Sequence, residues 1–238
     1  MIQKLTIALF TSSVSAIYLD KRMVLKNFLK LDETCDANTK RIENSKEFSG
    51  HDESFPASKY SLFWNDHNRS DDMKKTYEKV DTWTTPKELL SGKTPNLWGE
   101  KGVLPAGVKQ GELGDCWFLA SASAIAEYPE RIHQIFKNKE YPENGVFQLR
   151  FYNRGKPTNI WIDDRLPLNE DGKLVNSKMS INKAWWLPIL EKAYAKFNIN
   201  YSTLNGGNPG QALRELTGMP VSMYDSKKQS EKEFFDIV

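Results

Sequence analysis

Residues 110–120 read QGELGDCWFLA, and this stretch decides the interpretation of the chain. Apolar residues follow Cys116 almost without interruption as far as Ala126, a pattern typical of a buried helix that Pro129 ends or bends. Cys116 then lies in the first turn, where free N–H groups and the helix dipole favour a thiolate. The alternative is that Cys116 is an ordinary buried cysteine at the start of a core helix.

The residues before Cys116 add two features that suit a nucleophile. Gly111 and Gly114 allow the loop to turn tightly and bring backbone N–H groups close to a substrate carbonyl. Gln110 carries an amide that, together with the backbone N–H of Cys116, can donate hydrogen bonds to an oxyanion. The pattern therefore indicates nucleophilic catalysis by a thiol.

The whole stretch resembles the active-site signature of the papain-like cysteine proteases, in the version typical of calpains. Further calpain-like motifs follow in the family's order: SLFWND (61–66), WIDDRLP (161–167), GKL (172–174), LEKAYAK (190–196), LNGG (204–207) and LTG (216–218). The resemblance implies an α+β, papain-like fold over residues 58–238. It consists of a helical lobe that carries the nucleophile and a small β-hairpin.

The resemblance also implies a calpain-type cysteine endopeptidase that acts on protein or peptide substrates. Cys116 is then the nucleophile, and Gln110 forms the oxyanion hole with the Cys116 N–H. Gly114, Trp117 and Gly207 line the substrate cleft, with Trp117 beside the thiol and the Gly207 backbone open to an extended peptide. The alternatives are that Trp117 is simply part of the core and that the glycine pair 206–207 only ends a helix.

Periodicity predicts the elements around this site. Residues 146–152 alternate in hydropathy and residues 159–163 return, which indicates a hairpin. Apolar residues recur at helical spacing over 186–197, which predicts an amphipathic helix. Asn208-Pro209 predicts the start of a short helix that ends near Gly218, and a capping box at Ser230 predicts a further helix.

A catalytic base is harder to find in the sequence. In papain-type proteases the histidine and asparagine lie about 130–150 residues after the cysteine, but residues 117–238 contain one histidine, His133. His51 and His67 precede Cys116 and, like His133, are interpreted as surface or packing residues. The sequence therefore predicts that the second half of the protease core is missing. One alternative is a non-catalytic calpain-like protein that binds peptides or a partner. The other is that the sequence is truncated and the real gene product continues past Val238.

The calpain resemblance also implies a calcium site in this half, built from backbone carbonyls and two acidic side chains. The equivalent positions here are Gly107 and Ala184, so both carboxylates are replaced. Because calcium prefers charged oxygen ligands, we expect this half to bind calcium weakly. No other cofactor or metal site is predicted.

Composition limits the remaining possibilities. The chain has 33 Lys and Arg against 31 Asp and Glu, so no basic excess indicates a nucleic-acid partner. No apolar run is long enough to span a membrane. The two cysteines, Cys35 and Cys116, do not form a disulfide framework, and a bridge between them would consume the nucleophile.

The N-terminal region is interpreted as two segments that precede the catalytic domain. Residues 1–30 form a leader, and residues 31–57 form a polar linker or extension. Residues 1–16 have the features of either a signal peptide or an amphipathic helix. We expect a cytoplasmic protein, or a secretory one if residues 1–16 are a signal peptide.

Overall fold

The computed structural model describes residues 51–63 and 71–222, together with Tyr224, Ser230 and Lys232. The expected leader, most of the extension, Cys35, His67 and the C-terminal helix lie outside the described residues. The elements, in chain order, are α1 (Lys59–Leu62), α2 (Asp71–Glu78), β1 (Val80–Thr84), α3 (Pro86–Leu89), α4 (Cys116–Ala126), α5 (Pro129–Ile135), β2 (Val146–Asn153), β3 (Lys156–Asp163), β4 (Leu166–Asn169), α6 (Trp186–Phe197) and α7 (Pro209–Thr217). Two short 3₁₀ turns, Pro105–Gly107 and Tyr201–Leu204, complete the order.

Helix α4 begins at Cys116, as the sequence predicts, and runs into the core. Trp117, Phe118 and Leu119 are buried in its first turn. The helix ends at Ala126, and Pro129 takes the first position of α5, where proline needs no N–H partner. The apolar run and the proline thus produce two successive helices.

The predicted hairpin is confirmed and is longer on its return strand than expected. β2 and β3 pair antiparallel in continuous register from Val146 with Asp163 to Asn153 with Lys156. Between them Arg154 and Gly155 have φ angles of 51° and 79°. Two positive φ angles in a two-residue loop suit the right-handed twist of the strands, and glycine adopts such a conformation at little cost.

A second small sheet was not predicted. β1 pairs antiparallel with β4, with Trp83 opposite Pro167. Both strands are short, and β4 includes a proline, so neither carries the alternating pattern that identifies a strand from sequence. The fold is nevertheless α+β, as expected, with helices packed around two small antiparallel sheets.

Helix α6 lies at the centre of the core. Its predicted bounds are confirmed, but it is not amphipathic, because every residue from Trp186 to Phe197 is buried. Tyr194 stacks on Phe118 of α4 with ring centroids 4.3 Å apart and planes at 12°. This contact fixes the helix that carries Cys116 against α6.

The buried charges of α6 are satisfied by ion pairs. Lys192 pairs with Asp163 at the end of β3, and Arg165 pairs with the same carboxylate at 2.7 Å. Lys196 pairs with Asp52 at 2.7 Å. Burial opposes ionisation of Asp163, but the Lys192 ammonium and hydrogen bonds from Arg165 and Lys192 outweigh it and lower its pKa to about 2.

These contacts bring residues that the sequence assigned to the extension 31–57 onto the folded domain. The backbone N–H of Asp52 donates to Asp163 at 2.9 Å, and Phe55 is 2% exposed within the core. A single aromatic residue in a polar stretch gives too weak a signal to reveal this packing.

Helix α7 begins and ends where the sequence places it. The Asn208 side chain accepts a hydrogen bond from the Gly210 N–H at 2.8 Å, and Pro209 occupies the first helical position. Gly218 ends the helix with a φ of 72°. In the part of the chain that the structure describes, no helix has the length and apolar character needed to cross a membrane.

Candidate active site

Cys116 is the first residue of α4, and its thiol is free and exposed. The backbone carbonyl of Asp115 accepts hydrogen bonds from the N–H groups of Phe118 at 2.8 Å and Leu119 at 3.1 Å, which closes the first turn. Trp117, by contrast, points into the protein and is 8% exposed. The loop therefore presents the thiol to solvent while the next side chain anchors the helix.

Two adjacent contacts join this loop to residues 204–207. The Gly206 N–H donates to the Gly114 carbonyl at 2.9 Å, and the Trp117 indole N–H donates to the Leu204 carbonyl at 2.8 Å. A Cβ on Gly207 would lie 2.3 Å from Cε2 of Trp117, so only glycine lets the backbone approach the indole this closely. The structure thus brings together Gly114, Trp117 and Gly207, which the sequence predicted to line one cleft.

Gln110 lies at the other end of the loop and is exposed. Its side-chain amide donates to the Leu113 carbonyl at 2.8 Å. An amide nitrogen carries two hydrogens, so this bond orients the group and leaves the second N–H available to a ligand.

The middle of the loop packs against the segment 175–177. The Glu112 N–H donates to the Val175 carbonyl at 2.8 Å. Gly111 approaches the same segment so closely that a Cβ there would overlap the Asn176 carbonyl. The loop is therefore held on two sides, by residues 175–177 and by residues 204–207.

The comparison with protein families agrees with this geometry. The model of the calpain family of cysteine proteases matches residues 51–238. The chain belongs to the calpain family.

Three calpains show how much of the chain is shared. Calpain clp-4 of Caenorhabditis elegans is 34% identical over 184 residues, which is 76% of this chain and 24% of that protein. Calpain-10 of Mus musculus is 37% identical over 183 residues, 74% of this chain and 26% of its own length. Calpain-B of Drosophila melanogaster is 32% identical over 205 residues, 85% of this chain and 20% of its own. The chain spans about a quarter of the length of the calpains it matches.

The two described histidines have other contacts. His133 on α5 packs against Trp98, with ring centroids 4.4 Å apart, and burial lowers its pKa. His51 lies on an open cavity together with Thr85, Glu88 and Asp164. The structure therefore places both as packing or surface residues, as the sequence suggested.

The positions where a calpain is expected to hold calcium carry no carboxylate. Gly107 and Ala184 are buried, and a Cβ on Gly107 would lie 3.2 Å from Cβ of Ser180. The Ser180 hydroxyl accepts from the Ala184 N–H at 2.9 Å, and the Asn182 amide donates to the Gly102 carbonyl at 2.8 Å. Neutral side chains from residues 180–182 thus occupy the place, and neither Gly107 nor Ala184 supplies the charged oxygen ligand that calcium prefers. Among the described residues, no cluster of three acidic, histidine or cysteine side chains could hold a metal ion.

Sequence reasoning missed two acidic residues next to the nucleophile. Asp115 and Glu191 are 0% and 1% exposed, and their carboxyl groups are in hydrogen-bond contact. The available signal was the position of Glu191 directly after five apolar residues, Trp186 to Leu190, in the same helix. Such a residue is rarely buried without a partner.

Proposed function

We propose that this chain forms the nucleophile-bearing half of a calpain-type cysteine endopeptidase. The observation that carries the proposal is an exposed thiol at the first residue of a buried helix, on a loop clamped from both sides. The calpain relatives share this region, including the calpain-1 catalytic subunit of Homo sapiens, which is 32% identical over 180 residues.

In the proposed reaction the Cys116 thiolate attacks the carbonyl carbon of a peptide bond. The C–S bond forms as the carbonyl π electrons move to oxygen, and the oxyanion accepts hydrogen bonds from the Cys116 N–H and the free N–H of Gln110. Collapse of this intermediate expels the amine, which takes a proton from a general acid and leaves an acyl-enzyme for water to hydrolyse. Loss of one oxyanion donor typically costs about 2.7–4 kcal/mol of transition-state stabilisation, which is the effect expected for Gln110→Ala.

The substrate class is proposed from the calpain resemblance together with the position of Gly207. Gly207 packs against the Trp117 indole beside the nucleophile loop. We propose that its backbone pairs with an extended peptide. Recognition through backbone groups favours extended polypeptides over small molecules. We therefore propose protein or peptide substrates.

The base is proposed to come from outside the described residues or from a second polypeptide. A base must lie within about 2.6–3.2 Å of the thiol, or reach it through one water, in the reacting complex. His133 is instead held by Trp98, and this observation favours a second candidate function, peptide binding without cleavage.

The experiment is mild alkylation of the purified 238-residue chain followed by peptide mapping, with Cys116→Ala and Cys35→Ala as matched variants. We expect iodoacetamide to label Cys116 first. Preferential labelling of Cys35 would overturn the proposal. Turnover of a fluorogenic peptide that disappears in Cys116→Ala would favour the protease over the binding protein, and peptide binding without turnover would favour the reverse.

We also propose that calcium does not activate this half of the protein. Support comes from the neutral hydrogen-bond network of Ser180 and Asn182 beside Gly107 and Ala184. Without a carboxylate, the energy of calcium binding does not offset its dehydration at low concentration.

A further inference from the structure

The nucleophile loop ends in a carboxyl group that is completely buried. Asp115 is 0% exposed, and it does not cap α4. Neither of its carboxylate oxygens accepts a hydrogen bond from an N–H or hydroxyl group of another described residue. Its polar contact within the described chain is the carboxyl group of Glu191 on α6.

Glu191 is equally buried but has other partners. Both of its oxygens accept from the Ser177 N–H, at 2.9 and 3.1 Å, and one also accepts from the Ser177 hydroxyl at 2.8 Å. Ser177 belongs to the segment that holds the loop through Val175 and Glu112. The contact between the two carboxyls therefore closes a ring that joins α6, residues 175–177 and the nucleophile loop.

Two carboxylates in contact repel each other unless one of them is protonated. Tyr77 from α2 interacts with both carboxyls and with Glu112 of the loop, Tyr201 from the 3₁₀ turn interacts with Glu191, and none of these groups supplies a positive charge. Lys178 also interacts electrostatically with Glu191, but burial lowers the pKa of Lys178. Among the described residues, no lysine or arginine forms an ion pair with either carboxyl.

We propose that Asp115 and Glu191 share one proton at neutral pH, and that this O–H···O bond positions the first turn of the helix that carries Cys116. Glu191 holds the proton and donates it to Asp115. The backbone carbonyl of Asp115 accepts the first bonds of α4, so an anchored Asp115 fixes where the Cys116 N–H and thiol point. Asp115 and Glu191 are positioning residues, and their role rests on the proposed function of Cys116 as nucleophile.

The direction of the pKa shifts agrees with this assignment. Burial raises the pKa of Asp115 to about 6, while the hydrogen bond from Glu191 limits the rise. Burial raises the pKa of Glu191 well above its usual value, and the neighbouring Asp115 charge raises it further. Both folded-state pKa values exceed the unfolded ones, so the pair's contribution to stability is present below about pH 4. It falls as the pH rises through about 6 and falls further as Glu191 ionises.

The first test is a carboxyl ¹³C NMR titration of the full chain from pH 4 to 9, with Asp115→Asn and Glu191→Gln for assignment. We expect Asp115 to titrate near pH 6 and Glu191 to titrate well above the usual range of a glutamate. Glu191→Gln imitates the protonated acid and should leave the Asp115 titration within about half a unit. Asp115→Asn removes the neighbouring charge and should lower the pKa at which Glu191 titrates. The proposal is wrong if both wild-type carboxyls titrate below pH 5, or if Asp115→Asn leaves the Glu191 titration unchanged.

The second test measures positioning through the rate of Cys116 alkylation at pH 7. Glu191→Gln should keep the wild-type rate within about twofold, whereas Glu191→Ala should lower it by about tenfold. Asp164→Ala is the matched control, because Asp164 is a buried carboxyl that accepts from the Tyr141 hydroxyl at 2.6 Å, and Tyr141 packs on Phe147 of the hairpin rather than on α4. It should lower the urea midpoint without changing the alkylation rate.

If Glu191→Gln slows alkylation as much as Glu191→Ala, or if Asp164→Ala slows it equally, the positioning role is refuted. If wild-type Cys116 itself does not react, the proposed function fails. The NMR titration still decides in that case whether the proton is shared.

Discussion

Replacement of Gly207 by alanine tests whether residues 204–207 pack against Trp117 as closely as the structure shows. The added Cβ would lie 2.3, 2.5 and 2.8 Å from three indole carbons of Trp117. Ordinary van der Waals contact begins at 3.4 Å, so the nearest pair must separate by roughly 1.1 Å. The indole cannot move freely, because its N–H bonds to Leu204 and its ring packs on Phe118 and Tyr194.

The expected cost combines two effects. Overpacking a well-packed site costs about 1–3 kcal/mol. Losing the indole hydrogen bond adds about 1 kcal/mol. Gly207→Ala should therefore lower the free energy of unfolding by about 2–4 kcal/mol, which shifts a urea midpoint by about 1–2 M for a slope near 2 kcal/mol per molar.

The assay is a double-mutant cycle with Trp117→Phe, measured by urea unfolding. Phenylalanine lacks the second ring that meets the new Cβ, so the double variant should be at least about 1 kcal/mol more stable than the sum of the single effects. Gly206→Ala is the matched control, because its φ is 73° but a Cβ there would meet nothing within 4 Å. It should cost about 1–2 kcal/mol through the left-handed conformation alone. Additivity within about 0.5 kcal/mol in the Gly207 cycle would refute the close packing of Gly207 against Trp117.

Three further predictions follow from other contacts. Lys192→Met leaves Asp163 buried without its main partner and should cost about 3–5 kcal/mol in urea unfolding, whereas Lys173→Met, in an exposed pair, should cost under about 1 kcal/mol. Because the folded pKa of Asp163 is about 2, its contribution to stability should be present above about pH 4 and be lost as the pH falls toward 2, which acid titration by circular dichroism would show. Calorimetry should detect no calcium site tighter than about millimolar, and a micromolar site would contradict the argument from Gly107 and Ala184.

Much of the site could be predicted because local sequence determines it. The start of α4 at Cys116, the hairpin over 146–163 and the bounds of α7 each follow from a proline, a glycine or an apolar period that acts over a few residues. The approach of Gly207 to Trp117 spans 90 positions in the chain and was expected from the calpain resemblance rather than from any period.

The remaining features could not be predicted because they depend on distant polar contacts. Lys192 and Lys196 look like the solvent-facing side of an amphipathic helix, yet Asp163 and Asp52 bury them. Asp115 occupies the N-cap position of α4, yet its buried side chain does not cap the helix and contacts Glu191 instead. A charged residue gives the same sequence signal whether its partner is water or a buried carboxyl, so periodicity alone misassigns it.

The buried charges of α6 explain how one helix can hold both the nucleophile loop and the hairpin. Consecutive residues of a helix point about 100° apart, so Glu191 and Lys192 face different neighbours, while Lys196 lies one turn beyond Lys192 on the same side. Glu191 therefore meets the loop through Asp115, and the two lysines meet Asp163 and Asp52. Apolar packing alone would tolerate a small rotation or slide of α6, whereas a slide of one residue would separate Glu191 from Asp115 and leave both lysines buried without partners. Since an unpaired buried charge costs several kcal/mol, the polar contacts set the register of the helix even where they add little net stability.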